Sequence, residues 1–445
     1  MGKLKFLIPV VILLAMAAWA VPAVLKAMPS RYVARLPEPL QQLGLPEESA
    51  PILPTVVRPV SAAALLEATP TLAQQASVAP ATPTPLPTVA DVVAAVTAEP
   101  TATATALPTM TPTATPWPIP ASARLGGFYH QFQTWNNCGP ATLAMAMTYF
   151  GIPLTQSDTA PVLKPNPEDR NVSPWEMAAY VNNETEQQAL FRTNGDLQML
   201  RRFIANEIPV IIELGIEPPG EFRWMGWYGH YLLVVAYDDA EEQFWVYDSW
   251  FGTSEEPLQN ADPAGRILTY ADLETYWPHF NRNYIALYTP EQRETVAAIV
   301  GPAMDDEVMW QQALDQARAD AAADDENAFY WFNLGTVYNA LGRYGEAATA
   351  FDQARAIGLP WRMLWYQFGP YEAYYETGRY EDVLLLADVT LKDRPYFEES
   401  FYYKGLAQAA LGDTAAARDN LARAVAFNPN FAPAAQRLQE MEVEN

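Results

Sequence analysis

No hydrophobic core can be built from EPTATATALPTMTPTATPWPIP, residues 99–120, and the same composition recurs upstream in ATPTPLPT. Proline holds such a chain extended, while Thr and Ala carry too little apolar bulk to offset the entropy lost on folding. Residues 27–120 are therefore expected to form a disordered Pro/Thr/Ala-rich stalk. Whatever folds independently must follow it.

Ahead of the stalk, Met1-Gly-Lys-Leu-Lys is a short basic stretch, and Phe6 to Leu25 is a run of twenty residues without a charge. About twenty apolar residues span the hydrocarbon of a bilayer. Ala18-Trp19-Ala20 fits a signal-peptidase site, and the length fits an uncleaved anchor slightly better. Residues 1–26 are thus expected to be a signal peptide or membrane anchor, with everything after them outside the cytoplasm. A single cysteine in 445 residues suits an exported bacterial protein more than a disulfide-bonded secreted scaffold. A bacterial cell surface or extracellular location follows, with the membrane as a partner through the amino-terminal helix.

That cysteine stands in QTWNNCGPATLAMAMTYFG. Pro140 suits the first turn of a helix, and Leu143, Met147 and Phe150 recur as a buried helical stripe. Cys138 is then at a helix N-terminus, where the dipole favours a thiolate and lowers the thiol pKa from about 8.5. With no second cysteine it cannot form an intramolecular disulfide. The competing reading is a small buried hydrophobe, the commonest fate of a free cysteine.

His230 tilts the choice. In GHYLLVVAYDDAEEQFWVYDSW, Tyr231–Tyr237 reads as a buried strand, 238–242 as a turn and Gln243–Tyr247 as a second strand. The hairpin brings His230 and Asp248 to the same end. A carboxylate beside an imidazole fixes its tautomer and stabilises the imidazolium, as nucleophilic catalysis by a neighbouring thiol requires. Gln133, with Gln131 as the other choice, is a candidate amide donor to an oxyanion, together with the Cys138 N–H. His130 and His279 are alternative bases that lack the strand context. One Cys and three scattered His cannot supply a usual zinc set, so no metal or other cofactor is expected.

The blocks NNCGPATLAM, GHYLLVVAY and WVYDSW resemble cysteine peptidase family thirty-nine, papain-like enzymes best known from bacteriocin-processing exporters. The resemblance covers residues 121–290. It implies Cys138 as nucleophile, His230 as general base, Asp248 as orienting acid and Gln133 as oxyanion donor. The family's Gln usually precedes the Cys by about six residues, whereas Gln133 and Gln131 precede it by five and seven. No phosphate-binding Gly-Lys-Ser/Thr loop occurs, so the likeness is to the stand-alone branch, not to an exporter.

Other signals in this stretch fit a papain-like α+β domain. Ser173-Pro174-Trp175-Glu176 reads as a capping box, Asp196 and Thr269 as helix starts, and Pro209–Leu214 and Tyr284–Tyr288 as strands. Trp135, Trp224 and Trp227 flank the blocks and are candidates to line a substrate groove.

Gly342, Gly378 and Gly412 each close a short turn at separations of 36 and 34 residues, close to the tetratricopeptide period. Residues 291–445 are therefore expected to be an all-α tetratricopeptide-like solenoid, with 307–323 leading and Phe431–Met441 capping. The second repeat is degenerate, with Gly369-Pro370 expected inside its first helix. The solenoid reads equally as a protein- or peptide-binding groove and as a spacer packed on the peptidase domain.

The net charge of −25 falls on both folded parts. Nucleic acid is thereby excluded as a partner, since phosphate would be repelled. The sequence points to an exported or surface-tethered cysteine peptidase acting on peptides or proteins. A related acyl-transfer enzyme (transglutaminase or amidase) and a non-catalytic surface adaptor are the alternatives.

Overall fold

Eleven residues, Tyr228–Asp238, form β4, on which the first folded region is organised. Its side chains are buried on both faces, as an almost unbroken apolar and β-branched run demands. The computed structural model describes residues 52–56, 62–67, 119–217, 226–260 and 263–443. The expected amino-terminal helix, most of the stalk and Trp224 lie outside the described residues.

Seven strands make one sheet: β1 (Ser122–Arg124), β2 (Gln188–Arg192), β3 (Val210–Ile216), β4, β5 (Gln243–Asp248), β6 (Arg266–Thr269) and β7 (Tyr284–Tyr288). The order is β2-β7-β3-β4-β5-β6, and every pairing is antiparallel. β3 covers Tyr228–Val234 of β4, and β1 pairs with Ala236–Asp238 beyond it. The β4–β5 hairpin pairs Asp238 with Gln243 and Leu232 with Asp248, which sets Asp248 two residues from His230 along β4.

Against this sheet pack α1 (Cys138–Thr148), α2 (Gln156–Leu163), α3 (Pro174–Glu184), α4 (Leu197–Ala205), α5 (Tyr270–Tyr276) and α6 (Arg293–Val300). The capping box of α3 forms, with Ser173 N donating to Glu176 at 2.7 Å, and Asp196 caps α4 by accepting from Met199 N. Thr269 caps α5 through Asp272 N. Helix α1 departs from the expected stripe. Gly139 to Thr148 are buried without a gap, and Phe150 lies beyond the helix end, half-buried. The reason is its position, enclosed by β3, β4, α2 and α3 on different sides.

The second region is helical: α7 (Asp306–Ala323), α8 (Ala328–Ala340), α9 (Tyr344–Ile357), α10 (Gly369–Glu376), α11 (Tyr380–Asp393), α12 (Glu398–Ala410), α13 (Thr414–Phe427) and α14 (Ala432–Val443). Gly342, Gly378 and Gly412 turn between paired helices at φ of 69°, 73° and 86°. No neighbour crowds them, so the left-handed backbone alone calls for glycine there. Gly369-Pro370 does not interrupt a helix as expected. It starts α10, with the proline in the first turn, where a missing N–H is harmless. Residues 358–368 leave the helical path, and Leu359, Met363, Leu364 and Trp365 are wholly buried.

This irregular segment docks on the first region. Arg362 Nη1 donates to Trp227 O at 3.0 Å, and Gln367 Nε2 to His279 O at 3.0 Å. Trp227 and Phe280 belong to the helical region's apolar cluster rather than to that of the sheet. Part of the expected stalk is also structured. Leu53, Ala62 and Leu65 are buried against the helical region, Leu53 N donates to Leu359 O at 2.9 Å, and Arg355 Nε to Pro54 O at 3.0 Å. The disordered-stalk expectation therefore fails for residues 52–56 and 62–67. Each supplies leucines, which the Thr/Ala/Pro tract that follows mostly lacks. Among the described residues, no helix is long and apolar enough to cross a membrane.

Candidate active site

Cys138 is the first residue of α1 and is partly exposed, whereas Gly139 and Pro140 are already buried. The loop before it is held by one side chain from the start of α2. Gln156 Oε1 accepts from Thr134 N at 2.7 Å, Thr134 Oγ1 at 2.9 Å and Asn137 Nδ2 at 3.3 Å, while its Nε2 donates to Phe132 O at 2.8 Å. Asn136 adopts a φ of 58°, a conformation asparagine tolerates better than most residues. Asn137, at the N-cap, turns its amide to Thr134 Oγ1 and makes no side-chain cap to α1.

His230 and Asp248 are both buried and adjacent. His230 Nε2 donates to Asp248 Oδ1 at 2.8 Å, which leaves Nδ1 as the ring nitrogen for a thiol. Burial favours the neutral imidazole. The Asp248 charge and hydrogen bond, followed by contributions from Cys138, outweigh burial and raise His230 to about 10. Burial also favours neutral Asp248, but His230 first and Arg266 next hold its carboxyl at about 2. Imidazolium and carboxylate thus stabilise one another inside the protein, and the ring interacts with the Cys138 side chain.

The carboxylate is caged on every side. Oδ1 also accepts from Trp250 N at 2.8 Å and Phe251 N at 3.0 Å, and Oδ2 accepts from Arg266 Nη1 at 2.8 Å. The turn that aims those N–H groups closes between Asp248 and Gly252. Gly252 has a φ of 99°, and a Cβ there would lie 1.9 Å from Gln259 O, so no other residue fits. Arg266, Gly252 and Gln156 are absent from the sequence reading. None belongs to a motif, and each reaches the site only through folding.

The two glutamines separate clearly. Gln131 is bound to the start of α2, with Oε1 accepting from Gln156 N at 2.9 Å. Gln133 is tied to the residue after Asp248: its N donates to Ser249 O at 2.7 Å, and its Oε1 accepts from Ser249 Oγ at 2.9 Å. His130 Nε2 donates to the Asp248 carbonyl at 2.8 Å, so it braces the hairpin end. His279 stacks on Phe329 at 3.6 Å and accepts from Trp227 Nε1, and burial lowers its pKa to about 3. Neither alternative histidine has a contact with Cys138 among the described residues. Trp135 is exposed, whereas Trp227 is buried at the contact with the helical region, which does not fit the expected groove position. Among the described residues, no set of His, Cys, Asp and Glu is grouped to hold a metal.

Residues 127–284 match the Peptidase_C39 like family, so this stretch is C39-like, as the three sequence blocks indicate. No curated protein matches the chain. Among solved structures, a putative C39-like peptidase from Bacillus anthracis is similar at 15% identity and a TM-score of 0.29, over 38% of this chain and 98% of that one. MamA from Desulfovibrio magneticus RS-1, residues 41 to its end, is similar at 19% identity and a TM-score of 0.28, over 31% of this chain and 76% of that one.

Proposed function

From the match of residues 127–284 to the Peptidase_C39 like family, we propose that this chain is a cysteine peptidase that hydrolyses peptide bonds with Cys138, His230 and Asp248. The observation that carries the reading is the buried His230–Asp248 pair, interacting with a partly exposed cysteine at a helix start. The Cys138 thiolate attacks the scissile carbonyl carbon, and the carbonyl oxygen takes up the electron pair. Gln133 Nε2 and the Cys138 N–H donate to that oxyanion. The tetrahedral species collapses, the His230 imidazolium passes its proton to the leaving amine, and a thioester remains. His230, now neutral, takes a proton from water as the hydroxyl attacks the thioester. The C–S bond breaks, the acid product leaves, and the Cys138 thiolate and His230 imidazolium are restored. Asp248 stays ionised throughout, held by Arg266 and two backbone N–H groups.

Residues 1–26 act in this reading as an export signal or anchor, and the helical region supports the peptidase and meets protein partners. The test is alkylation and digestion with the full chain. A thiol-directed inactivator should label Cys138 rapidly and abolish cleavage of a peptide library, with Cys138→Ala inert. Equally fast labelling in His230→Ala would remove the base–nucleophile coupling.

A further inference from the structure

Trp365, fully buried, is surrounded by three guanidinium groups. Arg170, Arg362 and Arg394 lie 5.4, 5.5 and 5.4 Å from its ring centroid. Arg170 also stacks on Trp135 at 4.5 Å, and Arg362 on Tyr228 at 3.9 Å. The chain has 52 acidic and 27 basic residues, so three cations gathered on one indole run against its composition. Like charges this close repel, most strongly where water is scarce.

The three are not matched equally. Arg394 pairs with Asp393 at 3.0 Å, and Arg362 donates to the Trp227 carbonyl. Arg170 has no ion pair or hydrogen bond among the described residues, and its Nε is buried without a partner. Glu168 contributes a favourable charge but accepts from Trp135 Nε1 at 3.3 Å. A guanidinium fixed between two indoles and lacking an anion is a preformed fork for a carboxylate.

Its place in the fold gives that fork a use. Trp135 is three residues before Cys138, and Tyr228 is two before His230, on the same face of β4. Tyr366 lies over Gly229, where a Cβ would come 3.1 Å from its ring; burial raises its hydroxyl pKa, and the nearby charges of Cys138 and Tyr228 add to that rise. The irregular segment of the second repeat therefore meets the sheet region beside the nucleophile.

We propose that this guanidinium–aromatic face is the subsite that recognises a carboxylate of the substrate peptide, with Arg170 as its specificity-determining residue. The assignment rests on the peptidase reading for its substrate class. The carboxylate comes either from an Asp or Glu side chain or from a free peptide C-terminus.

The test uses the full chain carrying Cys138→Ala and fluorescent peptides in matched pairs, Glu against Gln and free against amidated C-terminus. Binding to the carboxylate member should be about tenfold tighter in one of the pairs, which identifies the source. Arg170→Gln should erase that preference, and Arg170→Lys should keep part of it. Equal binding within both pairs, or a preference that survives Arg170→Gln, overturns the subsite. Hydrolysis of the same peptides by the unsubstituted chain is scored separately. Carboxylate preference without Cys138-dependent cleavage would end the peptidase reading and leave the subsite standing.

Discussion

The two folded regions hold together over very different chain distances. In the sheet, Ser122 pairs with Asp238 and Gln188 with Tyr288, so pairings join segments about a hundred residues apart. In the helical region each helix packs mainly on the next, as α8 on α9 and α12 on α13. The first arrangement brings Cys138, His230 and Asp248 from three segments to one place. The second builds its stability from each helix pair and the interface with the pair beside it. The exception is informative. At residues 358–368, where the chain leaves the helical path, the helical region makes contacts outside itself, through Arg362 to Trp227 and Gln367 to His279.

The sharpest way to break this comparison is at the long-range site. Asp248→Asn should leave the fold in place yet lower peptide turnover on the order of 10⁴-fold, since the ring would lose its orienting charge. A variant within tenfold of the parent in kcat would show that the hairpin end is structural only. Trp365→Ala comes next. Emptying a fully buried indole site costs roughly 3–5 kcal/mol, read from urea unfolding. Two separated transitions in that variant, for sheet and helices, would show that this segment couples the regions.

pH offers a gentler probe of the sheet. Glu213 on β3 is buried and accepts from Asn283 Nδ2 at 2.8 Å; burial raises its carboxyl to about 8. A raised pKa means the folded state holds the proton more tightly than the unfolded one. Its contribution is fully present below the ordinary value of 4.5 and is lost as pH rises to about 8. His230 adds a second loss between 6.5 and about 10. The melting temperature should therefore fall from mildly acidic to alkaline pH, and Glu213→Gln should flatten the part below pH 8. An unchanged profile in Glu213→Gln would assign the slope elsewhere. The smallest effect belongs to the local region: Gly378→Ala, at a φ of 73°, should cost about 1–2 kcal/mol by the same urea measurement.

What could be read from the sequence follows the same division. The repeat glycines, the α3 capping box, the Asp196 and Thr269 caps and the β4–β5 hairpin are local signals, and each has its counterpart in the structure. His230 and Asp248 were legible because a short turn joins their strands. Arg266 and Gln156 were not, since their roles depend on contacts no spacing encodes. Gly369-Pro370, expected inside a helix, stands at the start of one, because proline suits the first turn, where its missing N–H is harmless. Leu53 and Leu65 were hidden by the Thr/Ala/Pro tract that follows them.

Those leucines carry a mechanical consequence. Residues 52–56 and 62–67 are packed on the helical region through Leu53, Ala62 and Leu65. Their non-covalent contacts tie residues before position 68 to residues after position 118, so the chain is fastened to itself across that interval. A single backbone cut between Glu67 and Ile119 would leave the two fragments clasped together until the contacts at Leu53 and Leu65 were broken.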